Sequence, residues 1–270
     1  MGDFNLSGIL EEMTVEDIKT LKPNVGIIPI GSTEPHGPAL PYGTDTFSTE
    51  ERCYAATREA NGKGAKVVCL PTQKISLNNN FYGLPFSCRI SVPVFMSMVR
   101  DLVFFLMEEG INRVLIANGH GGNTDVLKAV QRDLAGERKL FLGLIGPGIA
   151  LPKQPPSKSG KPSGIYALIE HPSPHAGEWE TSNMLFLKPG LVKEEKIGVN
   201  PLNLPALEAL EKHGVHFVKP WHLFVPASAG GDSRKATAEK GRILFEAGVK
   251  SWVELFVELS TAAESENFPF

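Results

Sequence analysis

Two apolar runs bounded by turn residues, Val25–Ile30 and Arg113–Ala117, read as buried strands and limit the fold more than any other feature. Ala65–Leu70 and Lys139–Leu144 are further strand candidates. Helical patterns separate them. Thr14–Leu21 opens on a Thr with Asp17 three residues later, a variant of the capping box. Thr46 to about Ala60 and Thr124–Leu134 are amphipathic. Pro93 opens a helix to Glu109, with Phe95, Met98, Val99, Leu102 and Leu106 on one face. Residues 237–259 form a long C-terminal helix. Strands alternating with helices argue for an α/β sheet. At 270 residues the chain can bury a full core, so a single domain over 1–270 is expected.

The first strand runs into Gly31-Ser-Thr-Glu-Pro-His-Gly-Pro-Ala-Leu-Pro-Tyr-Gly-Thr-Asp45, a stretch too rich in Gly and Pro for a helix. Open α/β sheets place their sites at such strand ends. In an extended segment residues two apart point the same way, so Glu34 and His36 can share a cavity, and the Gly-Pro turns can return Asp45 beside them. One imidazole and two carboxylates suit zinc, manganese or iron, and a carboxylate can bridge two ions. The same stretch can also be read as a capped loop with a solvated Glu and a structural His.

Two more segments carry chemistry. Asn118-Gly-His120-Gly-Gly-Asn123 sits at a strand-to-helix turn, where flanking glycines leave His120 uncrowded. The alternative there is a phosphate-cradling turn, although no Lys-Ser/Thr follows the glycines. His175-Ala-Gly-Glu178-Trp-Glu180-Thr-Ser182 enters an apolar run. His175 and Glu178 share a face if helical, and Glu180 faces elsewhere unless the segment starts extended. It can equally be a helix first turn whose acids favour the dipole.

Together these segments resemble the creatininase (creatinine amidohydrolase) family. Gly31–Gly37 with Gly43-Thr-Asp45, Asn118–Asn123, His175–Ser182 and Gly231–Gly241 match in order, from about Val25 to about Val249. The resemblance implies a three-layer α/β/α fold with a mostly parallel sheet and a binuclear metal hydrolase, commonly a hexamer. It implies Glu34 and His120 on one ion, His36 on the other and Asp45 between them. It gives the second ion a Glu two residues after the motif His, but that position is Gly122 here. The extra acid Glu178 is therefore assigned to that ion, His175 as the catalytic His and Glu180 as the acid that follows it. A water between two divalent ions, with its pKa lowered toward ~7, supplies hydroxide; His175 gives the leaving group its proton.

The missing Glu at 122 weakens creatinine as substrate. Leu84, Pro85, Cys88 and Arg89 also depart from the family pattern in the loop over residues 71–92. Arg89 can pair with an anionic substrate or with a surface carboxylate. Family relatives split formamides, peptide bonds and cyclic polyol ketones, so the expectation is hydrolysis of a small amide C–N bond, with the other substrates, or a phosphate-binding module, as alternatives. Net charge is −3, which gives no nucleic-acid footprint. The three cysteines lack a Cys-x-x-Cys and read as reduced cytoplasmic thiols. No signal peptide or bilayer-spanning stretch is visible. Residues 146–164, rich in Pro, Gly, Ser and Lys, read as an exposed loop or lid. His171, His213, His216 and His222 have no ligand spacing; Trp221-His222 suits a pocket lining or subunit contact, and Asp232 with Arg234 a loop support.

Overall fold

The computed structural model describes residues 6–137, 140–146, 164–173, 175–263, 265 and 268–269. The lid expectation for 146–164 lies almost wholly outside them. The elements run α1 (Val15–Leu21), β1 (Val25–Ile30), α2 (Thr44–Gly62), β2 (Val67–Cys69), α3 (Val92–Glu108), β3 (Arg113–Asn118), α4 (Thr124–Asp133) and β4 (Phe141–Ile145). There follow α5 (Glu178–Leu187), β5 (Val199–Asn200), α6 (Glu208–Lys212), α7 (Trp221–Phe224), β6 (Gly231–Asp232) and α8 (Ala238–Thr261).

The main sheet has the order β2-β1-β3-β4 and is parallel throughout. Its central strands are buried at every residue. Alternation divides them between two layers. Val25, Ile27, Leu115 and Ala117 pack with Cys53, Ala56 and Ala60 of α2 and Trp252, Val253 and Phe256 of α8. Ile28, Ile30, Val114 and Ile116 pack on the other side with α3 and α4. This is the three-layer α/β/α arrangement. Gly26 belongs to the α3 side, where a methyl group would lie 2.6 Å from Leu106 Cδ1. The buried face of α3 carries Phe95, Val99, Val103 and Leu106, while Met98 and Leu102 are only partly buried.

Local signals explain the helix starts. Thr14 and Asp17 form the reciprocal capping box, and Thr237 accepts from Lys240 N at the head of α8. α2 starts two residues before the expected Thr46, so Asp45 lies in its first turn and not in the preceding loop. A carboxylate is favoured there by the exposed N–H groups and the helix dipole. β2 is confined to Val67–Cys69, inside the expected Ala65–Leu70, and β4 is shifted to Phe141–Ile145 from the expected Lys139–Leu144. α5 lies against α8 so closely that any side chain at Gly241 would overlap the Ser182 carbonyl.

Candidate metal centre

The C-terminal ends of β1 and β3 meet the N-termini of α2 and α5. Glu34 and His36 follow β1, His120 follows β3, Asp45 sits in the first turn of α2, and His175 and Glu180 bracket the start of α5. Glu34, His36, Asp45, His120 and His175 are buried, and Glu180 is partly so. Their ligand atoms form three groups compact enough to hold a metal: Glu34–Asp45–His120, His36–Asp45–Glu180 and Glu34–His36–His175.

Each imidazole has one nitrogen occupied by a main-chain carbonyl. His36 Nδ1 donates to the Glu34 carbonyl at 3.0 Å, His120 Nε2 to that of Leu77 at 3.0 Å, and His175 Nε2 to that of Pro35 at 2.9 Å. These bonds fix the ring orientations and aim the second nitrogen of each at the carboxylates. His36 Nε2 lies 3.2 Å from Asp45 Oδ1. His120 Nδ1 lies 3.1 Å from both Asp45 Oδ2 and Glu34 Oε2. The two oxygens of Asp45 thus serve two different imidazoles, the geometry of a bridging carboxylate. Among the described residues, Glu34 Oε1 and His36 Nε2 are buried without a hydrogen-bond partner. Buried polar atoms are nearly always satisfied, so orphans facing a ligand set fit a cation.

Charge in this cluster is redistributed by proximity. Burial works against a charged His36, yet Asp45 beside it lifts its pKa to about 10. His120 is likewise penalised by burial and held well above the ordinary histidine value by Glu34 and Asp45. Burial would neutralise Asp45, but His36 and His120 keep it below the carboxylate range. Burial raises Glu180 to about 7. His175 goes the other way, to about 4, through burial and the neighbouring charge of His36. Protons on His36 and His120 offset the carboxylates where cations otherwise would.

The support is equally specific. Ser32 Oγ donates to Glu34 Oε2 at 2.9 Å and accepts from Asn78 Nδ2 at 2.8 Å; Asn78 in turn holds the Cys88 carbonyl at 2.7 Å. The 71–92 loop is thereby tied to the ligand strand. Asn118 fills the turn at His120, accepting from His120 N at 3.2 Å and donating to its carbonyl at 2.8 Å. With that N–H taken, a phosphate cradle loses a donor. At Gly122 a side chain would collide with the His120 ring and lie 2.7 Å from the Leu77 carbonyl, so an acid there is sterically excluded.

Glu178, the expected ligand of the second ion, faces away from the cluster in this structure. It is 1% exposed, and its oxygens accept from Lys240 Nζ at 2.6 Å and His171 N at 2.7 Å. The reason lies in the backbone. His175, Ala176 and Gly177 precede the helix, and Ala176 adopts φ +49°, the left-handed region. This turn swings Glu180 inward, where it accepts from Ala176 N, and turns Glu178 toward α8.

A cavity of about 400 Å³ opens on the cluster, walled by Arg52, Asn183 and Trp252 and roofed by Phe81 and Trp221. Trp221 stacks on Phe81, with centroids 5.1 Å apart, and meets His175 edge-on at 5.5 Å. Its expected place at a pocket is therefore met. Arg89 is exposed and absent from the wall. Asp232, at the end of β6, pairs with Arg234 at 2.7 Å. Arg52, Asn183 and Trp252 escaped sequence reading, though Arg52 sits seven residues after Asp45, a helical repeat that returns it to the same face.

Comparison with known proteins agrees with this architecture. A mycofactocin precursor peptide peptidase of Mycobacterium ulcerans is 29% identical over 88% of this chain and 86% of its own length. A 3-dehydro-scyllo-inosose hydrolase of Thermotoga maritima is 27% identical over 90% and 78%. Among solved structures, a Bacteroides fragilis protein assigned to the creatinine amidohydrolases superposes with a TM-score of 0.78 at 24% identity, covering 97% of this chain and all of that one (100%). A manganese form of creatininase gives 0.69 at 18%, over 95% and 100%. At these identities the structures speak to the fold. The family model of creatinine amidohydrolase matches residues 11–256, nearly the whole chain and every ligand-bearing segment, and the protein belongs to the creatininase family.

Proposed function

We propose that this protein hydrolyses the C–N bond of a small amide at a two-metal site. The observation that carries the proposal is the orientation of the imidazoles: each has one nitrogen tied to a backbone carbonyl and the other facing carboxylates. Glu34, Asp45 and His120 would hold one ion and His36, Asp45 and Glu180 the other, with Asp45 common to both sets. Two divalent ions held there would supply an acidic water and polarise the substrate carbonyl. Zinc, manganese or iron fit this nitrogen and oxygen set.

His175 moves the proton. With its pKa near 4 it is neutral at pH 7. Its Nε2–H is fixed on the Pro35 carbonyl, so Nδ1, 3.8 Å from Glu34 Oε1, takes the proton from the attacking water and returns it to the leaving nitrogen. Phe81 and Trp221 cover the ring and keep bulk water from it. Peptide bonds are the first amides to consider, because mycobacterial peptidases of 27–29% identity are among the relatives. The hydrolase works as one domain, as a homo-oligomer (a hexamer by resemblance) in the cytoplasm; among the described residues no helix is long and apolar enough to cross a membrane.

Elemental analysis of the purified protein, followed by amide hydrolysis with reconstituted zinc, manganese or iron, tests the reading. Two equivalents of metal and metal-dependent turnover are expected. Wild-type protein that binds no transition metal overturns it.

A further inference from the structure

Glu34, Asp45, His120, His175 and Glu180 line part of the cavity. Two helices lead away from them, side by side. On α2, Asp45 is followed at four and seven residues by Thr49 and Arg52, which return to the same face and line the wall. On α5, Glu180 is followed at three residues by Asn183, also on the wall. Trp252 of α8 closes this region, with the Arg52 guanidinium carbon 5.5 Å from its ring centre and 6.0 Å from that of Phe245.

These wall residues are deeply buried: Arg52 is 4% exposed, Asn183 1% and Trp252 2%. Among the described residues, Asn183 Oδ1 and Trp252 Nε1 have no hydrogen-bond partner. Leaving the indole N–H unsatisfied is costly, and an anionic acceptor in the cavity removes that cost. Burial lowers the Arg52 pKa only to about 10, so the guanidinium remains charged at neutral pH.

We propose that Arg52, Asn183 and Trp252 form an anion subsite that selects substrates bearing a carboxylate or phosphate remote from the scissile amide. The proposal rests on the two-metal hydrolase reading and gives it a substrate class. The planar guanidinium fork matches paired anion oxygens, the indole N–H donates a further bond, and the Asn183 amide donates once its nitrogen is turned inward. Seven residues of helix set Arg52 about 10 Å along the axis from Asp45. That is roughly three extended residues, the reach of an acylated dipeptide.

The test compares N-acetylglycylglycine, its C-terminal amide and N-acetyl-aminoethyl phosphate by calorimetric titration into the metal-loaded protein. An anionic probe is expected to bind at least tenfold tighter than the neutral amide. Whether carboxylate or phosphate binds better identifies the natural group. Arg52→Met should abolish the preference while elemental analysis still finds two metals. Should that variant not fold, Trp252→Phe and Asn183→Leu should each weaken the anionic probe severalfold and spare the neutral one. Equal affinities, no binding of any probe, or a preference that persists in Arg52→Met overturns the subsite. Anion binding that survives Arg52→Met but vanishes on chelation puts the anion on the ions and also overturns it. Failure of the hydrolase reading is seen separately, as wild-type protein without metal, in which the anionic preference is still measurable.

Discussion

Replacing Glu178 and Glu180 one at a time by Gln should separate a structural clamp from a metal ligand. Glu178 is buried and accepts from Lys240 Nζ at 2.6 Å and His171 N at 2.7 Å. A Gln keeps one acceptor oxygen and loses the charge. A hydrogen bond to a charged group contributes ~1.5–3 kcal/mol, and Lys240 retains Glu170 at 3.0 Å, so about 2 kcal/mol is the expected loss. At roughly 2–4 °C per kcal/mol for a chain near this size, the melting temperature should fall roughly 4–8 °C. Because the clamp is independent of cations, the fall should be equal with and without metal, and metal content should stay at two per chain. Glu180→Gln should behave in the opposite way. Burial already pushes its carboxyl up to about 7 in the metal-free protein, so a neutral Gln costs little there and the metal-free melt should barely move. The loaded protein should drop toward one metal and lose the stabilisation that ligand binding confers. Scanning fluorimetry with elemental analysis reads both quantities. If Glu178→Gln lost a metal and its melting deficit disappeared on chelation, the clamp assignment would be refuted.

Asp45→Ala should remove affinity for both ions, whereas His36→Ala should chiefly cost one; two tightly bound metals in Asp45→Ala would contradict the bridge. Gly122→Glu should not create a creatinine hydrolase. Its side chain displaces the His120–Leu77 bond, so weaker metal binding and a lowered melting temperature are expected, both measured against wild type. The metal-free protein should lose stability as pH rises from about 6.5 toward 10, since the folded pKa of His36 is raised to about 10 and its contribution is complete only below the unfolded value. Metal-loaded protein, whose imidazoles carry no such proton, should show a flatter profile in melts across that range.

The sheet was legible because Val25–Ile30 and Arg113–Ala117 have no competing pattern: uninterrupted apolar runs fit a strand covered on both faces. Their ends pointed to Glu34, His36 and His120, which the structure brings together with Asp45 and His175. The orientation of Glu178 was not legible, because which of two acids in one segment faces the cluster depends on where a helix begins. One left-handed residue, Ala176, decides it, and Ala carries no sequence signal for that conformation. The exclusion of an acid at 122 depends on the His120–Leu77 contact between segments far apart in the chain, which no local pattern encodes. The wall residues were hidden for a similar reason: Asn183 and Trp252 read as ordinary helix positions until α5 and α8 are laid side by side.

The close seat of Gly241 on the Ser182 carbonyl has a mechanical consequence. Two helices joined at backbone distance cannot slide or part without losing that fit. Glu180, Asn183 and Trp252 therefore move as one block, and the distance between the reacting end and the far wall works as a fixed gauge. The roof is built otherwise, from one short turn around Asn79–Phe81 and the four-residue α7 that bears Trp221. Under the proposed subsite, adjustment to differently shaped substrates would fall to that roof, while the stiff side would set substrate length.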